Sequence, residues 1–530
     1  MKKYKVIIFI FALAGMMNSC GDDFLEKYPH SDVVAGAPAT IDVVEQNVTG
    51  AYQILYFDCY AASLWMPVTL FFDVLADDLY PGGGNADDQP HLQHAAIYQC
   101  TSVLNASGWW DIFFSGLKRC NGALNAIENA VSGTEEQLAR LKAETLALRA
   151  YYVHWLWKAY GNIPYFDKVW TDEPFAARQH TFDEIYPIII ADLDAAINEP
   201  AFPLTDKTGR VSKAMAMMTK ARVVMYKQDN TKYGEVLANM KTIIESGDYK
   251  LITAADITAN NFTGRLGSNS ADIAPPTTNH IEWIFLRDGE FCSESIFEVN
   301  HDSNFGKGWG NAWSGTGNYL PRFIGCRDNA PDITFQAGWG FCSVREEAYA
   351  IFDADDYRRE ASINEWGNNS TYQNTGYTVR KHAARWGYNV GTRGDRDLGF
   401  ENNKRIYRIA EAYLNAAELE LAVGGGQGAA QPYLDAIRER AYGRSYSIPA
   451  TLNNIKLERR RELFTEGLRF WDLLRWGTDE NDRTLDVVLS TNNAHQTRTW
   501  DANKRFLPIP QSEIAATANT EFALKQNPGY

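Results

Sequence analysis

The chain has 530 residues, of which 45% are hydrophobic and 22% charged, and a formal net charge of −15. That length supports a large buried core, as one elaborate domain or two closely packed ones. The acidic balance excludes nucleic-acid binding, which needs a basic face, and excludes charge-driven docking on anionic lipid.

Lys2, Lys3 and Lys5 precede a mostly apolar run from Val6 to Met17. The run is too short for a membrane span, which needs about 20 apolar residues. It reads as a secretory signal over residues 1–19. It ends at Met17-Asn18-Ser19-Cys20-Gly21, where small residues before a cysteine point to lipoprotein processing with Cys20 as the first mature residue. Stable anchoring takes two or more acyl chains, so an acylated Cys20 would hold the protein on a membrane without a spanning helix. Asp22-Asp23 resembles a surface-export signal of Gram-negative lipoproteins. The other cysteines are Cys59, Cys100, Cys120, Cys292, Cys326 and Cys342, with no C-x-x-C among them. They fit buried thiols or up to three disulfides.

From residue 20 to 259 the pattern is helical. Leu138, Leu141, Leu148, Tyr152 and Trp155 recur at helical spacing from about Glu135 to Ala159, and Gly161 and Pro164 end the run. Thr181-Phe182-Asp183-Glu184 is a capping box opening a helix with Ile185, Ile189 and Leu193 on one face. A helix from Ser212 to Tyr226 carries Met215, Met218 and Met225 as core filler. Another spans Tyr233 to Ser246. The succession has the spacing of tetratricopeptide-like hairpins without their strict repeat signature.

Between 260 and 403, Gly, Asn, Asp, Ser and Thr dominate, with short β-prone segments such as Ser295–Val299. Loops held on a rigid scaffold are where binding groups concentrate, so this region is the candidate ligand-binding region. Helices return over 404–530. One face is marked by Ile406, Ile409, Tyr413, Ala416 and Leu421 and broken at Gly424-Gly425-Gly426. A second helix covers Ala429 to Tyr442 and a third Leu452 to Trp476. Leu507-Pro508-Ile509-Pro510 must be extended. Within the third helix, Glu458 and Glu462 flank Arg459 to Arg461, a spacing that supports a helix through i,i+3 and i,i+4 pairs. Phe464, Leu468, Trp471 and Leu474 would form its apolar face.

Several of these segments together resemble the SusD-like (RagB/SusD) family. They are Asp23-Phe24-Leu25-Glu26 with Pro29; Leu148-Arg149-Ala150-Tyr151-Tyr152 followed by Tyr160-Gly161-Asn162-Ile163-Pro164; Arg408-Ile409-Ala410-Glu411-Ala412-Tyr413-Leu414 with Ala416-Ala417-Glu418; Ile437-Arg438-Glu439-Arg440-Ala441; Glu458 to Leu463 continuing through Arg469-Phe470-Trp471-Asp472-Leu473-Leu474-Arg475-Trp476; and Leu507-Pro508-Ile509-Pro510 with Gln526-Asn527-Pro528-Gly529-Tyr530. The matches run in order from residue 23 to the last, and the middle third carries no comparable landmark. The resemblance implies a mainly α fold on a tetratricopeptide-like scaffold with a loop-rich, partly β insertion. It implies an outer-membrane lipoprotein that captures oligosaccharides and passes them to a SusC-like TonB-dependent transporter. Some relatives bind peptides instead.

The chain lacks H-E-x-x-H, G-x-S-x-G and G-x-x-x-x-G-K-[ST], so no motif points to an enzyme, a metal or a cofactor. His91 and His94 have no spacing-matched third ligand. The clusters Asp353, Asp355, Asp356 and Asp395, Asp397 lack the glycine and terminal glutamate of a calcium loop. Glycoside hydrolysis needs only two suitably spaced carboxylates, so a surface hydrolase stays open, as does a structural lipoprotein with no ligand.

Sugar faces are covered by aromatic rings and their hydroxyl rims by amides and carboxylates, which is the general logic of ligand sites. Two stretches fit. One is Asp77-Asp78-Leu79-Tyr80-Pro81 with Asn85, leading to Trp109; the other is Asn304 to Tyr319, where glycines surround Trp309 and Trp313. The candidate ligand contacts are Asp78, Tyr80, Asn85, Trp109, Trp283, Trp309, Trp313 and Tyr319, chosen by composition and location. Trp110 is assigned to the core.

Overall fold

The structure is a computed structural model and describes residues 35–57, 67–170, 176–259, 278–302, 308–309, 315–328, 334–367, 369–389 and 394–530. The signal segment, Cys20, Asp23 to Pro29, Cys59 and Trp313 lie outside the described residues.

Helix starts follow the local chemistry. Thr181 accepts the Glu184 N–H and Glu184 accepts the Thr181 N–H, the expected capping box, opening Phe182–Asn198. Thr134 and Gln137 do the same before Glu135–Tyr160, and Ser212 caps Lys213–Lys227. With Ile41–Tyr52 as α1 and Ser107–Glu128 as α2, these become α3 (Glu135–Tyr160), α4 (Phe182–Asn198) and α5 (Lys213–Lys227), followed by α6 (Tyr233–Glu245). Each of α2 to α5 packs on the next. The stack then jumps across the insertion: α6 packs on α7 (Ile409–Ala422), and α7 on α8 (Gly426–Tyr442) and on α9 (Leu452–Glu462). The protein is mainly α-helical. Met215, Met218, Met225 and Trp110 are buried, as their spacing requires.

Among the described residues the sheets are all two-stranded. Strands β1 (Leu79–Gly82) and β3 (Phe341–Val344) pair antiparallel, as do β2 (Ser295–Val299) and β4 (Lys404–Arg408). Each pair ties the loop-rich region to a helical one. Among the described residues no helix is long and apolar enough to cross a membrane. Cys100, Cys120, Cys292, Cys326 and Cys342 are free thiols.

Two readings of the C-terminal signature need correction. The expected helix from Leu452 to Trp476 is two helices, α9 and α10 (Arg469–Trp476). Thr465 and Gly467 between them have φ of 62° and 78°. A Cβ on Gly467 would lie 2.8 Å from the Thr69 Cα, so the break needs glycine both for its backbone and for close approach. Nor do the charges of α9 pair along their own helix. Arg459 bonds Asp472 and Asn415, Arg460 pairs with Asp77, Asp78 and Glu480, and Glu458 pairs with Arg358 and Arg438. Glu462 takes Arg358, Arg408 and Arg440. The helix is a hub of buried ion pairs between elements, because its charged side chains face inward.

Candidate binding site

The site is built around a crossing of two backbones. Segment 322–326 bonds segment 338–340 through Gly338 N–H to Cys326 O, Trp339 N–H to Arg322 O and Gly340 N–H to Gly325 O, at 2.6–2.8 Å. A Cβ on Gly338 would fall 2.2 Å from the Gly325 Cα, so the approach depends on both glycines. The crossing fixes Trp339, a half-buried ring that contacts Tyr319 and Phe323 at centroid distances of 6.2 Å. Phe323 in turn stacks on Phe341 at 4.3 Å. On the outer side, Trp309 lies against Trp339 at 5.7 Å with 36° between planes. Its Nε1–H donates to Asp395 Oδ2 at 2.5 Å. Trp309 is still 50% exposed. The result is an aromatic platform standing on a buried aromatic column.

Polar groups surround it. Arg322 pairs with Asp397 at 3.1 Å, and Asp397 N–H donates to Asp395 Oδ1 at 2.9 Å. Gly83 N–H donates to Gly340 O at 2.8 Å, which attaches the 82–88 loop to the same crossing. That loop carries exposed Asn85, whose Oδ1 accepts the Asp87 N–H, and Asp88, which accepts the Gly84 N–H and faces Arg327 at 3.9 Å. Asp328 accepts both the N–H and the hydroxyl of Ser370. Planar rings ringed by paired carboxylates, guanidinium groups and amides can cover an apolar face and bond a hydroxyl rim.

Of the residues chosen from the sequence, Asn85 and Trp309 are exposed on loops attached to this crossing. Five others are buried. Trp109 is fully buried in α2, edge-on to Phe71 at 4.4 Å, because the helix begins at Ser107 and turns the ring into the core. Trp283 is buried with Ile252, Ile257 and Phe285. Tyr319 is fully buried beneath Trp339 and supports the platform from below. Tyr80 is buried on β1, its hydroxyl taking a bond from Asn493 and its ring lying 4.2 Å from the Arg345 guanidinium. Asp78 is buried and accepts from Arg460 Nε at 2.8 Å; burial pushes its carboxyl up, against the pull of Arg460. Asp77 is held well below the usual range because Arg460 and Arg469 outweigh the effect of burial. These five groups have no open face for a ligand.

The solved surface glycan-binding protein A from Bacteroides fluxus is 42% identical to this chain, over 93% of it and 100% of that protein, with a TM-score of 0.82. The chain belongs to the SusD-like family. Two family models agree along the SusD-like chain: one described as SusD family matches residues 362–530, and one described as starch-binding associating with outer membrane matches 23–225. Surface glycan-binding protein A from Bacteroides thetaiotaomicron, solved in complex with laminarihexaose, is 32% identical over 92% of this chain and 100% of that one, with a TM-score of 0.81. SusD-like protein P25 of Formosa agariphila is 25% identical over 97% of each chain. Neither family model reaches 226–361, which contains the crossing that positions the platform.

Trp339, Arg322, Arg327 and Asp395 as a contact of Trp309 were missed from the sequence. For Trp339 the signal was present: Gly338-Trp339-Gly340 is glycine-flanked, as Trp309 is.

Proposed function

We propose that this SusD-like protein captures glycans at the cell surface, stacking a sugar ring on Trp309. One observation carries the reading: a half-exposed tryptophan is held against a second tryptophan and hydrogen-bonded to Asp395, on a crossing that only glycine permits. Leaving such a ring in water forgoes the stabilisation that burial would give, and the bond to Asp395 orients its face. A solved relative in complex with laminarihexaose supports a β-glucan as the first ligand to test. We further propose that Cys20 carries the lipid anchor and that a SusC-like transporter receives the glycan, as the family resemblance implies.

Capture without cleavage suits the site better than hydrolysis. Asp395 and Asp397, the acids bonded to the platform residues, are two positions apart in the chain, one taken by Trp309 and one by Arg322. A hydrolase needs two carboxylates facing each other across the scissile bond. The purified mature protein should bind laminarin in affinity electrophoresis and release no reducing ends in prolonged incubation. Product release abolished by a single Asp or Glu substitution would overturn the non-catalytic reading.

A further inference from the structure

Near its C-terminal end, α3 carries a lysine deep inside the helical stack. Lys158 is 2% exposed, and its Nζ lies over the rings of Trp155 at 4.4 Å and Trp471 at 4.7 Å. Among the described residues it makes no hydrogen bond and no ion pair. Buried charges are normally paired, because an unpaired one forfeits its hydration. Ring faces attract an ammonium without neutralising it. Burial first, and the charge of Arg222 second, push Lys158 well below the usual lysine range.

Lys158 lines a cavity of about 20 Å³. One water needs roughly 10–15 Å³ of such space, so the cavity admits one small molecule or ion. Its walls come from both helical regions: Lys158 on α3 and Arg222 on α5, with Asn415 on α7, Arg459 on α9, and Asp472 and Arg475 on α10. The carboxylates here are already engaged. Arg222 grips Glu411 through Nε and Nη2 at 2.8 and 2.6 Å, Arg459 Nε bonds Asp472 Oδ2 at 2.7 Å, and Arg475 bonds Asp472 Oδ1 and Glu418 Oε2 at 2.8 Å. Arg505 donates to the hydroxyl of Tyr226, another wall residue, at 3.1 Å and has no ion pair among the described residues. In this group five cations stand against three carboxylates. Positive charge is therefore in excess around a space the size of one ion, and that sign repels a metal cation.

We propose that this cavity binds one small monovalent anion of the size of chloride or bromide, held by Lys158, and that the anion fastens the N-terminal helices to the C-terminal ones. The bound anion pairs the one ammonium that the protein leaves unpaired there and favours its charged form. Because the anion binds the folded state alone, it stabilises the stack in proportion to its occupancy.

Thermal melts of the mature protein in chloride and a crystal grown in sodium bromide test this. With gluconate replacing chloride at constant ionic strength, the melting temperature should rise by about 2 °C as chloride goes from about 1 to about 100 mM. Lys158→Met keeps an apolar stem between the two rings and removes the charge, so its melting temperature should not respond to chloride. An anomalous bromide peak should lie in the cavity beside Lys158 Nζ. If Lys158→Met does not fold, the wild-type melts and the bromide peak decide. Water in place of bromide would overturn the proposal, and Lys158 would then be a neutral amine. A bromide peak with no chloride response in the melts would also overturn it, as an adventitious ion only. So would a chloride response that persists in Lys158→Met, because the anion would then act elsewhere.

Discussion

At Trp309 and Trp109 the same residue type has opposite fates, and the difference is measurable. Trp309 stands half in water, whereas Trp109 is enclosed by Phe71 and Phe72. Removing a stacking ring should cost about 1–3 kcal/mol of binding, roughly five- to 150-fold in affinity. Trp309→Ala should show that loss with little change in melting temperature. Trp109→Ala should cost about 3–5 kcal/mol of stability, and its folded fraction should bind normally. Thermal melts and titrations of the two variants check both statements. Glycine on either side of a tryptophan marked Trp309, which is half-exposed, and the same pattern flanks the half-buried Trp339. It gave no help with Tyr80, Trp109, Trp283 and Tyr319. Their burial depends on which way a strand or helix presents them to distant elements, and local composition does not encode that.

At the scale of elements, the charges of α9 hold the helical regions and the loop-rich region together. Arg460 joins α9 to Asp77 and Asp78, far away in sequence, just before β1. Removing one partner of a buried ion pair typically costs about 3–5 kcal/mol because the other charge is left uncompensated. Asp78→Ala should therefore destabilise the protein by about that much in chemical denaturation, with ligand affinity of the folded protein unchanged. An affinity loss with full stability would return Asp78 to the binding site. Glu466 gives a pH signature. Burial alone would raise its carboxyl, but Arg408 and Lys381 outweigh burial and lower it from 4.5 to about 2. A depressed folded-state value adds stability that is complete above the unfolded value and is lost as pH falls toward the folded one. Melting temperature should accordingly drop between about pH 4.5 and 2, and Glu466→Gln should flatten that drop. Helix positions and both regular faces were legible, since capping boxes and periodicity are local. The break at Thr465 to Gly467 was not, because Gly467 answers to Thr69, a contact between residues far apart in sequence.

For the whole molecule, the helical stack is interrupted by a long insertion, and the proposed glycan contact Trp309 lies in that insertion. The ordered signature segments made the family and the mainly α fold legible, because packing of the stack constrains their residues. The insertion carried no landmark, and the placing of Trp339 depends on the Gly325–Gly338 crossing, which brings residues about a dozen apart into backbone contact. The proposed anchor at Cys20 is separable from both. Cys20→Ala should leave the melting temperature of the mature domain unchanged and move the protein from the membrane fraction to the soluble one. Membrane retention of that variant in cells lacking a partner transporter would refute lipidation as the anchor.

Glycan capture at Trp309 is tested most directly by a crystal structure of the mature protein with laminarihexaose. A sugar ring should lie face to face on Trp309, with hydroxyls bonded to the polar groups around it and with Trp109, Trp283 and Tyr80 untouched. Laminarihexaose bound at another surface, with Trp309 bare, would contradict it.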